Sequence, residues 1–129
     1  MNNLFINLSN HPSSKWSAKQ IDAALKLSDN GPIIDMPFPN IDPEMSSDEI
    51  NALSDEYVAK IINLAKEYET DYAIIHVMGE MTFTYSLVHN LNNNGYYCYA
   101  STTKRNVIEK EDGTKISTFE FVQFRRYSF

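Results

Sequence analysis

Hydrophobic positions recur along this chain in two periods, and the alternation between them predicts its architecture. Residues 4–8 form a short apolar run and read as a first strand. A turn cluster follows at residues 10–14. Trp16, Ile21, Ala24, Leu25 and Leu27 then fall at helical spacing over residues 16–27. Asp29, Asn30, Gly31 and Pro32 stop that helix, with Gly31 suited to the C-cap region. Residues 33–36 read as a second strand. Three prolines between Pro37 and Pro43 make a rigid loop, because each fixes φ and removes a donor.

Ser46 and Glu49 match a capping box. Beyond it, Ile50, Leu53, Tyr57, Ile61, Leu64 and Tyr68 recur at three- and four-residue steps. Asp48, Asp55, Lys60 and Lys66 lie off that stripe, so this is the clearest helix in the sequence. Residues 72–77 read as a buried third strand, 78–81 as a turn and 82–93 as a third helix ending at Asn94 and Gly95. Residues 96–100 read as a fourth strand. Two β-rich runs, 105–111 and 115–126, flank Asp112 and Gly113, a strong hairpin signal.

Short strands joined by helices require right-handed crossovers and a parallel sheet. The pattern therefore predicts an α/β fold: a Rossmann-like three-layer domain with a mainly parallel sheet and a C-terminal antiparallel β-hairpin. With 129 residues and no repeats or linker, residues 1–129 read as one domain. No apolar stretch is long enough for a membrane span, and the N-terminus lacks the basic and apolar regions of a signal peptide. The lone Cys98 cannot form an internal disulfide, which points to a reducing, cytoplasmic setting. Cys98 suits a buried strand position better than a nucleophile.

Charge narrows the ligands. The net charge is −6, carried by residues 1–70, which hold 5 Lys against 11 Asp and Glu; residues 71–129 hold 6 basic and 6 acidic residues. That balance argues against a binder of long nucleic acid and leaves room for a compact anion in a local basic pocket. The three histidines, His11, His76 and His89, have no metal-ligand spacing, so no metal and no cofactor is expected. Neither a dinucleotide fingerprint nor a P-loop is present.

Ligands of such folds bind beyond the carboxyl ends of the strands, and three turns meet that description. The turn at Gly79, Glu80, Met81 and Thr82 offers a close backbone approach and a helix N-terminus for phosphate, with Thr82 and Thr84 adding hydroxyls. The same residues also suit a plain turn closed by Gly79 and capped by Thr82. Glu80 beside a phosphate would repel it and reads first as a turn or orienting residue. The segment Ser101, Thr102, Thr103, Lys104 and Arg105 suits a phosphodiester, or else a solvated connection into the hairpin. Ser9, Asn10 and His11 form the third turn, where His11 is either an acid–base group or a turn residue beside Pro12. His76 reads as core or strand-end, and Trp16 as core rather than a base-stacking surface.

The polar turn at residues 7–11, the Gly79-x-x-Thr82 turn before a helix, and the Thr/Lys/Arg segment before a terminal hairpin together resemble the CRISPR-associated Rossmann-fold, or CARF, domain. The tail from Thr102 to Tyr127 is similar to the small stand-alone CARF proteins of type III CRISPR systems. Glu80 departs from the pattern, where many relatives carry a small residue or a hydroxyl.

The resemblance implies a cyclic oligoadenylate ligand, cyclic tetra-adenylate in preference to cyclic hexa-adenylate, bound across a homodimer. It further implies a metal-independent ring nuclease in which a ribose 2′-hydroxyl attacks the adjacent phosphodiester, leaving a 2′,3′-cyclic phosphate. The chain ends at Phe129 directly after the hairpin, with no effector domain expected. On this reading His11, Lys104 and Arg105 serve the chemistry. Ser9, Asn10, Gly79, Glu80, Met81, Thr82, Thr84, Thr102 and Thr103 line the ligand. A non-catalytic sensor or sponge for the same ligand, and an unrelated phosphate-ligand protein, are the alternatives.

Overall fold

The structure, a computed structural model, describes residues 3–70 and 72–129; Met1 and Asn2, part of the N-terminus read above against a signal peptide, lie outside the described residues, as does Asp71. The elements run β1 (Leu4–Ser9), a 3-10 turn (Ser13–Lys15), α1 (Ala18–Leu27), β2 (Ile33–Asp35), α2 (Ser47–Glu67), β3 (Ala73–Met78), α3 (Met81–Asn93), β4 (Tyr97–Glu109) and β5 (Lys115–Arg126). The sheet order is β2-β1-β3-β4-β5. Its first four strands are parallel, and β5 is antiparallel to β4. The mixed, Rossmann-like α/β architecture expected from the alternating periods is the one observed.

The two central strands are buried on both faces, which is why their sequences are runs rather than strict alternations. Leu4, Ile6 and Leu8 of β1 and Ala73, Ile75 and Val77 of β3 pack with α2 and α3 residues such as Ile50, Ile61, Phe83 and Leu87. Phe5 and Ile74 turn the other way, against Ala24, Leu27 and Trp16. Each such large apolar side chain, fully buried, contributes about 1.5–3 kcal/mol. β1 leads through α1 to β2 on one side, and β3 leads through α3 to β4 on the other. Right-handed crossovers in opposite directions put the helices on opposite faces.

Local signals explain the helix ends. The Ser46 hydroxyl accepts from the Glu49 amide at 3.2 Å, and the Glu49 carboxylate accepts from the Ser46 amide at 3.1 Å, closing the expected box. Trp16 lies just before α1 rather than in it; the helix starts after Ser17, whose hydroxyl accepts from the Gln20 amide. Gly31 is not the C-cap expected of it. The left-handed positions are Asp29 (φ 53°) and Asn30 (φ 61°). Gly31 is instead buried where a Cβ would fall 1.6 Å from the Asn3 carbonyl oxygen, so its smallness serves close packing.

The largest correction concerns residues 101–105. They form no turn: β4 runs unbroken from Tyr97 to Glu109. It pairs with β3 only from Tyr97 to Tyr99, and with β5 from Tyr99 to Glu109, around the expected hairpin at Asp112 and Gly113 (φ 86°). Past Ala100 the pair is a two-stranded ribbon leaving the sheet. Val122 is an extra residue in β5 where the register shifts between Thr102 and Thr103, a bulge that increases local twist. Tyr127 ties the end of β5 down by donating its hydroxyl to the Val77 carbonyl at 2.8 Å.

Candidate ligand-binding site

In this strand order the chain reverses direction of growth between β1 and β3, and a crevice opens at their carboxyl ends. A cavity of about 760 Å³ lies there, within the usual range of small-ligand sites. Ser9, Asn10 and His11 after β1 line it, with Met78 and Gly79 after β3. The N-terminal end of α1 closes one wall with Lys15, Trp16, Lys19 and Gln20. The ribbon closes another, with Ser101, Thr103, Phe119, Glu120 and Phe121.

A polar chain crosses the sheet beneath this cavity. Asn7 sits opposite His76 in the β1–β3 register, and His76 opposite Tyr99 in β4, so side chains on alternate positions of three strands meet on one face. His76 Nδ1 lies 2.8 Å from Asn7 Oδ1, and His76 Nε2 lies 3.1 Å from Ser101 Oγ. The Asn7 amide nitrogen donates to the His11 carbonyl at 2.8 Å and to Asp35 Oδ1 at 2.9 Å. With both amide protons committed, Asn7 presents its oxygen to His76. The imidazole therefore carries its proton on Nδ1 and offers Nε2 as an acceptor toward Ser101.

Burial, with the nearby His11, pushes the His76 imidazole down to about 4, so it is neutral at physiological pH. The Trp16 and Phe124 rings pack edge-on against it, with centroids 5.6 Å and 5.3 Å away. Around Asp35, burial pushes the carboxyl up. Hydrogen bonds from Asn7 and from the Ser13 amide and hydroxyl outweigh that and leave it below the usual carboxylate range. The β1 turn is also gripped by Trp16, whose indole donates to the His11 carbonyl at 3.2 Å.

The β3 turn is organised differently. The Glu80 carboxylate accepts from the Thr82 amide at 3.0 Å and the Phe83 amide at 2.8 Å, and from the Thr82 hydroxyl at 2.6 Å. These bonds, the Thr82 hydroxyl first, hold the Glu80 carboxyl below its ordinary range. Of the amides expected to cradle a phosphate, that of Thr82 is filled by a carboxylate of the chain, as is that of Phe83 beside it, and Thr82 is held by Glu80 rather than capping the helix. Gly79 is explained by packing: a Cβ there would fall 2.3 Å from the Phe38 ring.

Of the residues singled out from the sequence, Ser9, Asn10, His11, Gly79, Ser101 and Thr103 come together at the cavity, beside Trp16, which the sequence reads as core, and His76, which it reads as core or strand-end. Met81 and Thr84 line a second cavity of about 590 Å³ with Tyr85, Arg125 and Arg126. The Thr84 hydroxyl is buried there without a hydrogen-bond partner among the described residues. Thr102 donates its hydroxyl to the Gln123 carbonyl, Lys104 lies exposed opposite Glu120, and Arg105 donates to the Ser117 hydroxyl at 3.0 Å. Lys104 and Arg105 therefore sit on the ribbon rather than among the lining residues of either cavity. Sequence reasoning missed Lys15, Lys19, Ser101's tie to His76, and Phe119 and Phe121. A lysine pair four apart, just past a strand-end turn, was the available signal for the first two.

Cys98 is buried in β4, and burial pushes its thiol up to about 12, which removes it as a nucleophile. Among the described residues no group of three or more His, Cys, Asp or Glu is placed to hold a metal ion. No helix among them is long and apolar enough to cross a membrane.

A family model described as the Uncharacterized protein MJ1673 family matches residues 3–125. No curated protein matches the chain at a significant level. Among solved structures, Enterococcus italicus Csm6 bound to cyclic hexa-2'-fluoro-hexa-dAMP is similar at 12% identity and a TM-score of 0.43. The likeness covers 80% of this chain and 34% of that one, so this chain spans about a third of its length.

Proposed function

The chain belongs to the Uncharacterized protein MJ1673 family, and we propose that it binds a cyclic oligoadenylate, the messenger of type III CRISPR immunity, and cleaves it as a metal-independent ring nuclease. The observation that carries this reading is the composition of the cavity at the β1–β3 crevice. It combines two lysines for phosphates, aromatic rings for bases, and hydroxyl and imidazole groups for ribose. The CARF resemblance of the sequence points to the same ligand.

In this proposal Lys15 and Lys19 take the phosphate contacts, and Trp16 and Phe119 supply stacking surface. Ser9, Asn10, His11 and Thr103 line the ribose. The internal 2′-hydroxyl is the nucleophile, so the site has mainly to hold it in line with phosphorus. One cavity has the size of a single small-ligand site, so a ring of four nucleotides calls for two. A homodimer about a two-fold axis would supply the second, a symmetry that cyclic tetra-adenylate, the ring favoured by the sequence resemblance, also has. The reading treats the chain as one CARF-like domain acting in the cytoplasm.

A non-catalytic sensor or sponge is the second reading. The observation that favours it is the placement of Lys104 and Arg105 on the ribbon, away from the cavity lining. Incubation with cyclic tetra- and hexa-adenylate in EDTA, followed by chromatography, separates the two. Linear products ending in a 2′,3′-cyclic phosphate support the nuclease, and binding without turnover supports the sponge. No binding of either ring refutes both.

A further inference from the structure

We infer that Ser101, His76 and Asn7 form the proton relay of this site: the Ser101 hydroxyl meets the attacking 2′-hydroxyl, and His76 takes up the displaced proton behind it. The inference rests on the cyclic oligoadenylate reading and adds the route that reading lacks.

The geometry carries it. A nucleophile–base pair is recognised by a hydroxyl within hydrogen-bond reach of an imidazole nitrogen, with a third group orienting the imidazole. Ser101 Oγ is 3.1 Å from His76 Nε2, and Asn7 Oδ1 is 2.8 Å from His76 Nδ1. The orienting group is itself fixed, since the Asn7 amide nitrogen is spent on Asp35 and on the His11 carbonyl. The chain of contacts ends at the cavity, which both Ser101 and His76 line. Met78 Sδ, 3.1 Å from Ser101 Oγ, is a weak competitor for the Ser101 proton. A strand position needing only to be filled would hold an apolar side chain; the buried neutral imidazole faces a cavity hydroxyl as an acceptor, and because burial opposes its charged form it holds the proton only in passing and gives it up again.

The step balances without metal or redox partner. The 2′-hydroxyl proton passes to Ser101 Oγ as the Ser101 proton passes to His76 Nε2. The 2′-oxygen forms its bond to phosphorus, and the bond from phosphorus to the 5′-oxygen breaks. The departing 5′-oxygen, leaving from the side of phosphorus opposite the 2′-oxygen, takes its proton from solvent water, and His76 returns its own proton through Ser101 to the hydroxide left behind. The ring becomes a linear chain with a 2′,3′-cyclic phosphate and a 5′-hydroxyl. Ser101 touches the reacting ribose, and His76 and Asn7 act through it.

The test measures binding and cleavage separately, with cyclic tetra-adenylate as the probe and EDTA present. Ser101→Ala is expected to bind within about threefold of the unsubstituted protein and to lose about 100-fold in single-turnover rate at saturating ring. Ser101→Thr, which restores a hydroxyl, recovers most of that rate. His76→Gln follows Ser101→Ala in rate, and the double variant is no slower than either alone, because both act in one relay. If Ser101→Ala cleaves at the unsubstituted rate, the relay is wrong while the ligand reading stands. If the unsubstituted protein binds the ring without cutting it, the relay is overturned and the sponge reading remains. If it binds no ring, both fall.

Discussion

The turn after β1 and the turn after β3 lie side by side at the carboxyl edge of the sheet, yet they spend their polar groups in opposite ways. After β1, Asn7, Ser9 and Trp16 fasten the His11 carbonyl from below, and the Ser9–His11 segment is left facing the cavity. After β3, the Glu80 carboxylate folds back onto the Thr82 and Phe83 amides and occupies two donors of the helix end from within the chain. A helix N-terminus attracts an anion, but the anion here is part of the chain. Being next to a strand end therefore does not make a turn a ligand site: both turns tie up donors internally, the His11 amide on the Ser9 hydroxyl and the Ser9 hydroxyl on Asn7, and what differs is that the whole Ser9–His11 segment faces the larger cavity. The interest shifts to the β1 side and the His76 chain that supports it.

The largest expected effect tests that support. An unfolded histidine titrates near 6.5, whereas burial and His11 hold His76 to about 4. Between those values the unfolded chain binds a proton that the folded chain refuses. Folding therefore weakens as pH falls through that window, and the loss is complete below about 4. The total is roughly 3 kcal/mol. Urea titrations of the unsubstituted protein and of His76→Gln, which carries no such group, should diverge below pH 6.5. Parallel profiles would show that His76 is not held neutral in the fold.

The β3 turn answers to packing instead. Gly79→Ala drives a methyl group into the Phe38 ring, which packs at 5.3 Å on Phe83. We expect a loss of roughly 1–3 kcal/mol in unfolding free energy, partly restored by Phe38→Leu in the same chain. A variant of full stability that loses ligand would revive the idea that Gly79 exists for backbone approach. Pairs of lysines give a smaller, binding-only contrast. Lys15→Ala and Lys19→Ala should each weaken cyclic tetra-adenylate about tenfold, the worth of one charged hydrogen bond. Lys104→Ala and Arg105→Ala should each stay within about twofold, measured by titration calorimetry. The reverse order would place the phosphates on the ribbon.

How much of this was legible in the chain depends on whether burial left a trace. Ile50, Leu53, Tyr57 and Ile61 announce α2 because one face of it is apolar, and Ser46 with Glu49 announce where it begins. β1 and β3 announce themselves because both faces are covered. Residues 101–105 misled because the ribbon leaves the sheet there and neither face is buried deeply enough to impose alternation. Three hydroxyls and two cations then look like a turn, although Thr102 and Thr103 are β-branched residues at home in a strand. The His76 chain was illegible for another reason. Asn7, His76 and Ser101 are distant in sequence and meet only through the lateral register of β1, β3 and β4. The one hint was polar residues at alternate positions inside strands otherwise apolar.

The smallest expected effect bears most directly on the contrast between the two turns. Glu80→Ala removes the carboxylate that caps α3, so the Thr82 and Phe83 amides lose their acceptor. The cap is exposed, so the urea midpoint should fall only slightly. More telling is what the freed helix end then does. With the internal anion gone, those two amides and the helix dipole regain the character that sequence alone suggested for them. Inorganic phosphate should then raise the midpoint of Glu80→Ala more than that of the unsubstituted protein. Equal responses would mean that the β3 turn is closed to anions by its geometry as well as by Glu80, leaving the β1 side as the anion-facing half of the crevice.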